Sequence, residues 1–416
     1  MEVWVPTERE ILNCLVDIKG YVIDPERCET NKTERRIVFW LEPQGEGTCS
    51  CCGQPSNKVK DRKVRKYRDL HFGAWTAEIW IEKRRVVCER CGVKSEQVSF
   101  ADARSKCTRR LEVAVFTATV DDPLSKTARR YGLSWDAVRC IERKYLLKWE
   151  QYKGPPAGVK WLGIDEVCLG GKDNLYSVIS DLERGEVLAV VSGNSQSSID
   201  SFFVHAGSRF CNGIQAVCVD MWKAFENSVR KYCKNAKIIY DKFHIIRHLN
   251  NAIDEVRRVE FFRKGGESRE MMKGKRWLLL RRWFNLSRSQ KCLLKSVFMV
   301  NRKISKAHYL KEIFGHLWFY KSKTWAMKFL KRWRSELRWQ RLKPLEKFYS
   351  MIERHLEGIL NYCVIKLPLG LVENINGRIK TLLRRTRGFK DERHFALRIM
   401  FMTDNTTHNF LTAIHS

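Results

Sequence analysis

Three carboxylates set far apart in the chain, Asp165, Asp220 and Glu373, carry its most telling chemistry. Asp165 closes the run Val159-Lys-Trp-Leu-Gly-Ile, Asp220 closes Ile214-Gln-Ala-Val-Cys-Val, and Glu373 lies near the start of Leu371-Val-Glu-Asn-Ile-Asn-Gly-Arg-Ile-Lys380. Carboxylate oxygens suit hard divalent cations. If the three meet in space, they cage two magnesium ions, or manganese in substitution, about 3.5 to 4 Å apart. One ion then activates water or a 3′-hydroxyl and the other stabilises the leaving oxygen, which is phosphoryl transfer on a nucleic-acid backbone. Singly each acid is ordinary, and Asp165 could merely end a strand. The set means something only if the surrounding elements bring it together.

Those elements follow from the hydrophobic pattern. After the Pro155-Pro156 linker come three β-rich runs, Val159–Asp165, Leu175–Ser180 and Gly185–Val191, joined by Gly, Asp and Asn turns as in a meander. A helical segment around Ser198–His205 leads to the strand Ile214–Asp220, and a helix through Trp222–Tyr232 leads to Lys237–Asp241. Three antiparallel strands followed by two that alternate with helices is the order of a ribonuclease-H-like α/β core with a mixed sheet. In that order the first strand lies beside and parallel to the fourth, so Asp165 and Asp220 project from adjacent strand ends. Glu166 points to the opposite face, which gives it a structural role. Asp241 closes the fifth strand just before Phe243 and His244; it is an auxiliary ligand or a DNA contact, or His244 is simply a satisfied histidine at the sheet edge.

Beyond Asp254 the strands stop and a helical region begins. Trp277, Trp283, Trp318, Trp325, Trp333 and Trp339 alternate there with basic runs such as Lys328–Arg334. Trp325, Phe329 and Trp333 fall four apart on one stripe, which places most of these aromatics in a core and leaves the basic faces to phosphate. From Pro368 the chain rejoins the first fold.

Bulk properties agree with a nucleic-acid partner. Of 416 residues 78 are Lys or Arg and 47 Asp or Glu, a net charge of +31 spread along most of the chain, which is a field for a polyanion. With 44% hydrophobic and 11% aromatic residues the chain folds into sizeable cores. Glu2, Glu8, Arg9, Glu10 and Asp17 break any signal-peptide-like run, and no stretch approaches the roughly 20 apolar residues of a membrane span. The expectation is a cytoplasmic protein, nucleoid-associated when bound to DNA. Its 15 cysteines are better read as metal ligands and buried thiols than as disulfides.

Cys49 and Cys52, and again Cys88 and Cys91, are each two residues apart and followed by glycine. Each pair can fill two corners of a tetrahedral zinc site. The interval between the pairs is longer than usual, and Cys51 could replace either ligand of the first. Between them Lys63–Arg68 and the alternating Trp75–Ile81 read as hairpin strands of a zinc ribbon, with Arg65 and Lys66 on a basic face. A helix over Arg109–Thr119 follows, then Asp122 capping a helix from Pro123, Gly132 in a left-handed turn, and Ser134 capping a second helix toward Lys148. Ala128 facing Val138 lets the two cross closely, as in a helix-turn-helix whose Arg139 and Arg143 reach base edges or phosphates. An ordinary helical hairpin is the bland alternative.

Gly163-Ile-Asp-Glu166, Val219-Asp-Met221, Asp241-Lys-Phe-His244, Gly370–Lys380 and then Arg387-Gly-Phe389 with Phe395 together resemble insertion-sequence transposases of the ISL3 family, over nearly the whole chain. The resemblance implies an Asp-Asp-Glu catalytic site of Asp165, Asp220 and Glu373, auxiliary roles for Asp241, His244, Asn376 and Lys380, and an all-helical insertion between the second Asp and the Glu. It implies magnesium, binding to terminal inverted repeats, hydrolysis at the element ends and attack of the freed 3′-hydroxyl on target DNA. Ser50-Cys51 departs from the family's usual proline and variable residue. The resulting division is a β segment and zinc ribbon over 1–100, a helix-turn-helix over 101–152, a core over 153–255 and 366–416, and a helical insertion over 256–365. Pairing of two DNA ends calls for a homodimer or larger assembly. Two other readings are a DNA-binding regulator that no longer cuts and a nuclease that joins nothing.

Overall fold

The computed structural model describes residues 7–168, 175–263, 265–368, 370–386 and 391–415. The Arg387-Gly-Phe389 motif lies outside them. Two compact units emerge, Met1–Lys153 with Thr406–Ser416, and Gly154–Asn405.

The first unit opens with α1 (Glu8–Val16), started by a reciprocal Thr7–Glu10 capping box. Strands β1 (Tyr21–Ile23), β2 (Glu29–Asn31), β3 (Arg36–Pro43), β4 (Gly47–Thr48), β5 (Pro55–Ser56), β6 (Val59–Arg68), β7 (Thr76–Cys88) and β8 (Gly92–Ser95) follow. The main sheet runs β1-β3-β7-β6, with β2 on β3 and β8 on β7; β3 and β7 pair in parallel and the other named strand pairs are antiparallel. Alternation along β7 buries Ala77, Ile79 and Ile81 against Phe39, Leu41 and Tyr67. The long β6–β7 hairpin carries the chain away from the first cysteine pair and returns it to the second, which accounts for the long interval.

Helices α2 (Arg109–Asp121), α3 (Leu124–Tyr131) and α4 (Trp135–Lys153) complete this unit. Gly132 takes φ 61° at the turn, Ala128 and Val138 are buried, and Ser134 Oγ accepts Ala137 N–H at 3.2 Å. The cap expected at Asp122 falls one residue later: Pro123 keeps extended backbone, so Leu124 is the first helical residue. Asp122 instead ends α2 and takes the Lys126 ammonium at 2.8 Å. Helix α17 (Thr407–His415) packs on α2, with Phe410 edge-on to Phe116 at 6.3 Å and His415 Nε2 3.2 Å from Thr117 Oγ1. The segment expected to run over 366–416 as one piece of the core thus divides after Asn405.

In the second unit β9 (Trp161–Cys168), β10 (Leu175–Asp181), β11 (Glu186–Ser192), β12 (Ala216–Val219) and β13 (Lys237–Tyr240) form one sheet in the order β11-β10-β9-β12-β13. The first three pair antiparallel; β12 is parallel to both β9 and β13. Helices α5 (Gln196–Gly213) and α6 (Lys223–Tyr232) join them. Leu162 and Ile164 share a core with Phe202 and Phe203 of α5. On the opposite face Val167, Val178 and Val187 meet Ile375 and Ile379 of α15 (Gly370–Thr386) and Phe395 and Ile399 of α16 (Glu392–Thr403).

From the end of β13, α7 (Lys242–Arg263) runs into the helical region of α8 (Gly266–Met272), α9 (Arg276–Leu280), α10 (Arg288–Val300), α11 (Arg302–Phe314), α12 (Lys323–Arg338), α13 (Lys343–Arg354) and α14 (Leu356–Val364). It is not a separate core: one hydrophobic cluster runs from Leu162 and Val217 in the sheet to Leu310 and Trp333. The tryptophans correct the expectation. Trp318 and Trp333 are buried, Trp283 is half-buried, and Trp277, Trp325 and Trp339 are exposed. Trp333 anchors the stripe by donating its indole N–H to Leu310 O at 2.9 Å, Phe329 is half-buried against Tyr320, and Trp325 stays in solvent.

Both sheet edges are sealed. Thr403 Oγ1 accepts Val187 N–H at 3.0 Å on β11, and Asn361 Nδ2 of α14 donates to Ile238 O at 2.8 Å on β13. Gly358 permits the second contact, since a Cβ there would lie 2.5 Å from two carbons of the Tyr240 ring. Gly358→Ala is expected to destabilise the second unit by about 1–3 kcal/mol, read as a lower urea midpoint with unchanged slope.

Candidate active site and metal centre

The register that pairs Ile164 with Val219 makes Asp165 and Asp220 the next residues along two parallel strands about 4.8 Å apart. Asp241 follows β13 on the far side of β12. Asp165 Oδ1 accepts Glu166 N–H at 2.8 Å, and Oδ2 accepts the Asn376 amide of α15. Asp220 Oδ1 accepts Met221 N–H at 2.6 Å and lies 3.0 Å from His244 Nδ1, while Arg247 Nη2 stands 3.8 Å from Oδ2. Asp241 is 9% exposed; its Oδ1 accepts Phe243 N–H at 2.9 Å and thereby starts α7.

The electrostatics register this crowding. Burial, and then repulsion from Asp165 and Asp220, raises the Asp241 carboxyl above the ordinary carboxylate range despite the Phe243 N–H. Burial pushes Asp220 up as well, but His244, Met221 N–H and Arg247 outweigh it and hold the group low. Burial works against the charged form of His244, yet Asp220 wins and raises it. The buried Cys218 thiol is pushed up by burial and by all three aspartates.

Glu373 sits in the first turn of α15, exposed, one turn before the Asn376 that touches Asp165. Lys380 is exposed two turns further along that helix. Among the described residues no trio of carboxylates brings its oxygens within 4.8 Å, so Glu373 does not close on the aspartates here. Glu166 lies on the other face, as alternation requires, and accepts Asn194 Nδ2 at 2.9 Å. Arg247 and Asn194 escaped the sequence reading. The spacing His244-x-x-Arg247 on one helical face was the available signal for the first; Asn194, in a turn, offered none. Asn376 Oδ1 is buried and accepts no hydrogen bond, so an acceptor oxygen is left over beside Asp165. The side-chain atoms that Asp165 and Asp220 offer are carboxylate oxygens, the donor type that suits a hard cation or its water.

The second centre is complete. The sulfurs of Cys49, Cys52, Cys88 and Cys91 all lie within 4.8 Å of one another, with Cys52 and Cys88 3.5 Å apart. Four thiolates about 2.3 Å from a tetrahedral zinc stand about 3.8 Å from each other, so the set fits that ion. Backbone N–H groups of Cys52 and Cys51 aim at the Cys49 sulfur and lower its thiol to about 7, as a knuckle that stabilises thiolate should. Cys51 thus lends its backbone, and its own side chain is exposed outside the tetrahedron.

Nearby, β6 is the outer strand of its sheet, and its Arg65 and Lys66 are exposed, the Lys66 ammonium 3.5 Å over the Trp80 ring. On α4 Arg143 is exposed and Arg139 half-buried, its guanidinium 5.7 Å from the Trp135 ring. Among the described residues no helix is long and apolar enough to cross a membrane. Cys51→Ser is expected to retain one zinc per chain, whereas Cys49→Ser and Cys88→Ser lose it together with the ribbon's strand signal, as metal analysis and circular dichroism of the full-length chain will register.

The family described as transposase, of ISL3 type, matches residues 162–399. The zinc-finger of transposase IS204/IS1001/IS1096/IS1165 matches 45–91, and the helix-turn-helix domain of transposase family ISL3 matches 96–145. The transposase for insertion sequence element IS1001 from Bordetella parapertussis is 28% identical over 398 residues, 94% of this chain and 97% of that protein. The transposase for insertion sequence element IS1557 from Mycobacterium tuberculosis (strain H37Rv) is 23% identical over 383 residues, 85% and 86% of the two chains. With over half its length matched by one family and the two N-terminal modules in place, the chain belongs to the ISL3 family of transposases.

Proposed function

We propose that this protein cuts and joins DNA at the ends of an insertion sequence, using Asp165, Asp220 and Glu373 on a ribonuclease-H-like core. The observation that carries the reading is the pair of aspartates at neighbouring parallel strand ends, with Glu373 on a helix one turn from Asn376, which touches Asp165. The three would hold two magnesium ions, which supply activation of the attacking oxygen and stabilisation of the leaving one. Around them, Asn376 and the Glu166 N–H orient Asp165, and His244 orients Asp220 and keeps it ionised. Arg247 offers a cation to the DNA phosphate, and Asp241 acts by starting α7 rather than as a ligand. Lys380, two turns from Glu373, takes a second phosphate.

The zinc ribbon and helix-turn-helix, over 1–100 and 101–152, find the terminal inverted repeats through Arg65, Lys66, Arg139 and Arg143. The core comprises 153–255 and 366–405, with the helices of 256–365 inserted. The working form is a homodimer or larger assembly on double-stranded DNA in the cytoplasm, because paired ends must be held together.

Asp165→Asn is expected to abolish strand cleavage and strand joining on duplexes carrying the element's own ends while leaving end binding in gel-shift assays intact. His244→Ala should lower the magnesium-dependent rate about 10- to 100-fold, with the loss partly recovered at higher metal concentration. Unimpaired cleavage by Asp165→Asn would overturn the assignment; cleavage without joining to a supercoiled target would mark a nuclease.

A further inference from the structure

The sheet of the first unit contains a strand pairing that works against its own stability. The β6–β7 register sets Lys63 directly across from Lys83, and Arg65, across from Ile81, lies diagonal to Lys83 on the same face. Like charges in opposed positions, with Cβ atoms about 4.5–5.5 Å apart, weaken a strand pair. On this face Tyr67, Ile79 and Ile81 are buried; Lys83, the next residue of β7 on that side, is half-buried, and Lys63 and Arg65 are exposed. Burial lowers the Lys83 ammonium from the ordinary lysine range, while Glu96 opposes the lowering and Arg65 adds to it. The acids that could relieve the crowding are held by other residues. Asp61 is taken by Arg85 through two hydrogen bonds, and the buried Glu96 by Arg84 at 2.7 Å. Among the described residues none of Lys63, Arg65 and Lys83 has a carboxylate within ion-pair distance.

Three crowded cations that the chain itself does not neutralise suit an external anion, and their layout selects a polymer. Lys63 and Arg65 are two residues apart on the outer strand, about 7 Å along it, so the charges form a row at the sheet edge instead of a ring around one ion. A phosphate backbone repeats its charge along just such a row, and a net charge of +31 draws a polyanion to the chain. We propose that Lys63, Arg65 and Lys83 grip backbone phosphates of double-stranded DNA, so that the ribbon's hairpin fixes the protein's position on the duplex without reading its sequence. The grip rests on the reading in which the ribbon binds the element ends; it adds Lys63 and Lys83 to that surface and assigns the surface to phosphate.

The test measures binding of the full-length chain, without magnesium, to a duplex of the element's end and to an unrelated duplex of equal length, from about 50 to 200 mM salt. The double variant Lys63→Ala, Lys83→Ala is expected to weaken both by the same factor and to reduce the slope of log affinity against log salt by about 2. Lys19→Ala with Lys32→Ala, which removes two exposed lysines elsewhere in the unit, should leave the slope unchanged. Lys63→Glu turns a repelling pair into an attracting one, so it should raise the melting temperature of the free chain while weakening DNA binding about tenfold. A lysine with only a structural role would move both in the same direction. A wild-type slope in the Lys63 and Lys83 double variant, an equal drop in the control pair, a loss confined to the element's end, or a lower melting temperature for Lys63→Glu would overturn the grip and leave DNA binding by the ribbon standing. A wild-type chain that binds neither duplex would overturn that reading, and the grip with it.

Discussion

Three carboxylates crowded at one end of a parallel strand trio repel one another, and the surroundings of Asp165, Asp220 and Asp241 are arranged to tolerate it. Each receives at least one backbone N–H, from Glu166, Met221 and Phe243. The positive end of α7 starts at Asp241, and the same helix brings His244 and Arg247 to Asp220. Strain that remains is concentrated on Asp241, whose carboxyl is driven upward while Asp220 is kept ionised. The field at the end of the sheet is therefore negative but graded, the condition under which a doubly charged cation is attracted without the fold being forced apart in its absence.

The two metal-binding designs solve opposite problems. In the ribbon the ligands are soft and come from two knuckles separated by the long β6–β7 hairpin, so a metal held there joins the two ends of that hairpin. In the core the ligands we propose are hard and come from strand ends and a helix, and α15 is held by Ile375 and Ile379 against the sheet while Glu373 stays in solvent. A site for phosphoryl transfer must admit substrate as well as ions, and an open third ligand is compatible with that need.

Much of this was legible because it is local. The short apolar runs Val159–Asp165 and Ile214–Asp220, each closed by an acid, located both aspartates, and their parallel pairing follows from strand order. The cysteine spacing located the knuckles, though only the fold shows that the Cys51 sulfur is not among the four that cluster while its N–H serves Cys49. What could not be read depends on tertiary partners. The helical stripe of Trp325 and Trp333 has one period whether or not a neighbouring helix covers both ends, and only Trp333 is covered. The place of α17 on α2 depends on Phe410 finding Phe116, a match between residues nearly three hundred positions apart. Extended backbone at Pro123 shifted a cap by one residue, within the uncertainty of any helix boundary.

The seal that α14 places on β13 has a bearing on how such a protein can evolve. Because Asn361 and Gly358 close the last strand and the inserted helices share one apolar interior with the sheet, the insertion is no detachable accessory. Excising it would bare a hungry strand edge and half of the interior at once. Descendants of this enzyme can vary the outward helical surface freely, but they must inherit the inserted helices and the sheet as an indivisible whole.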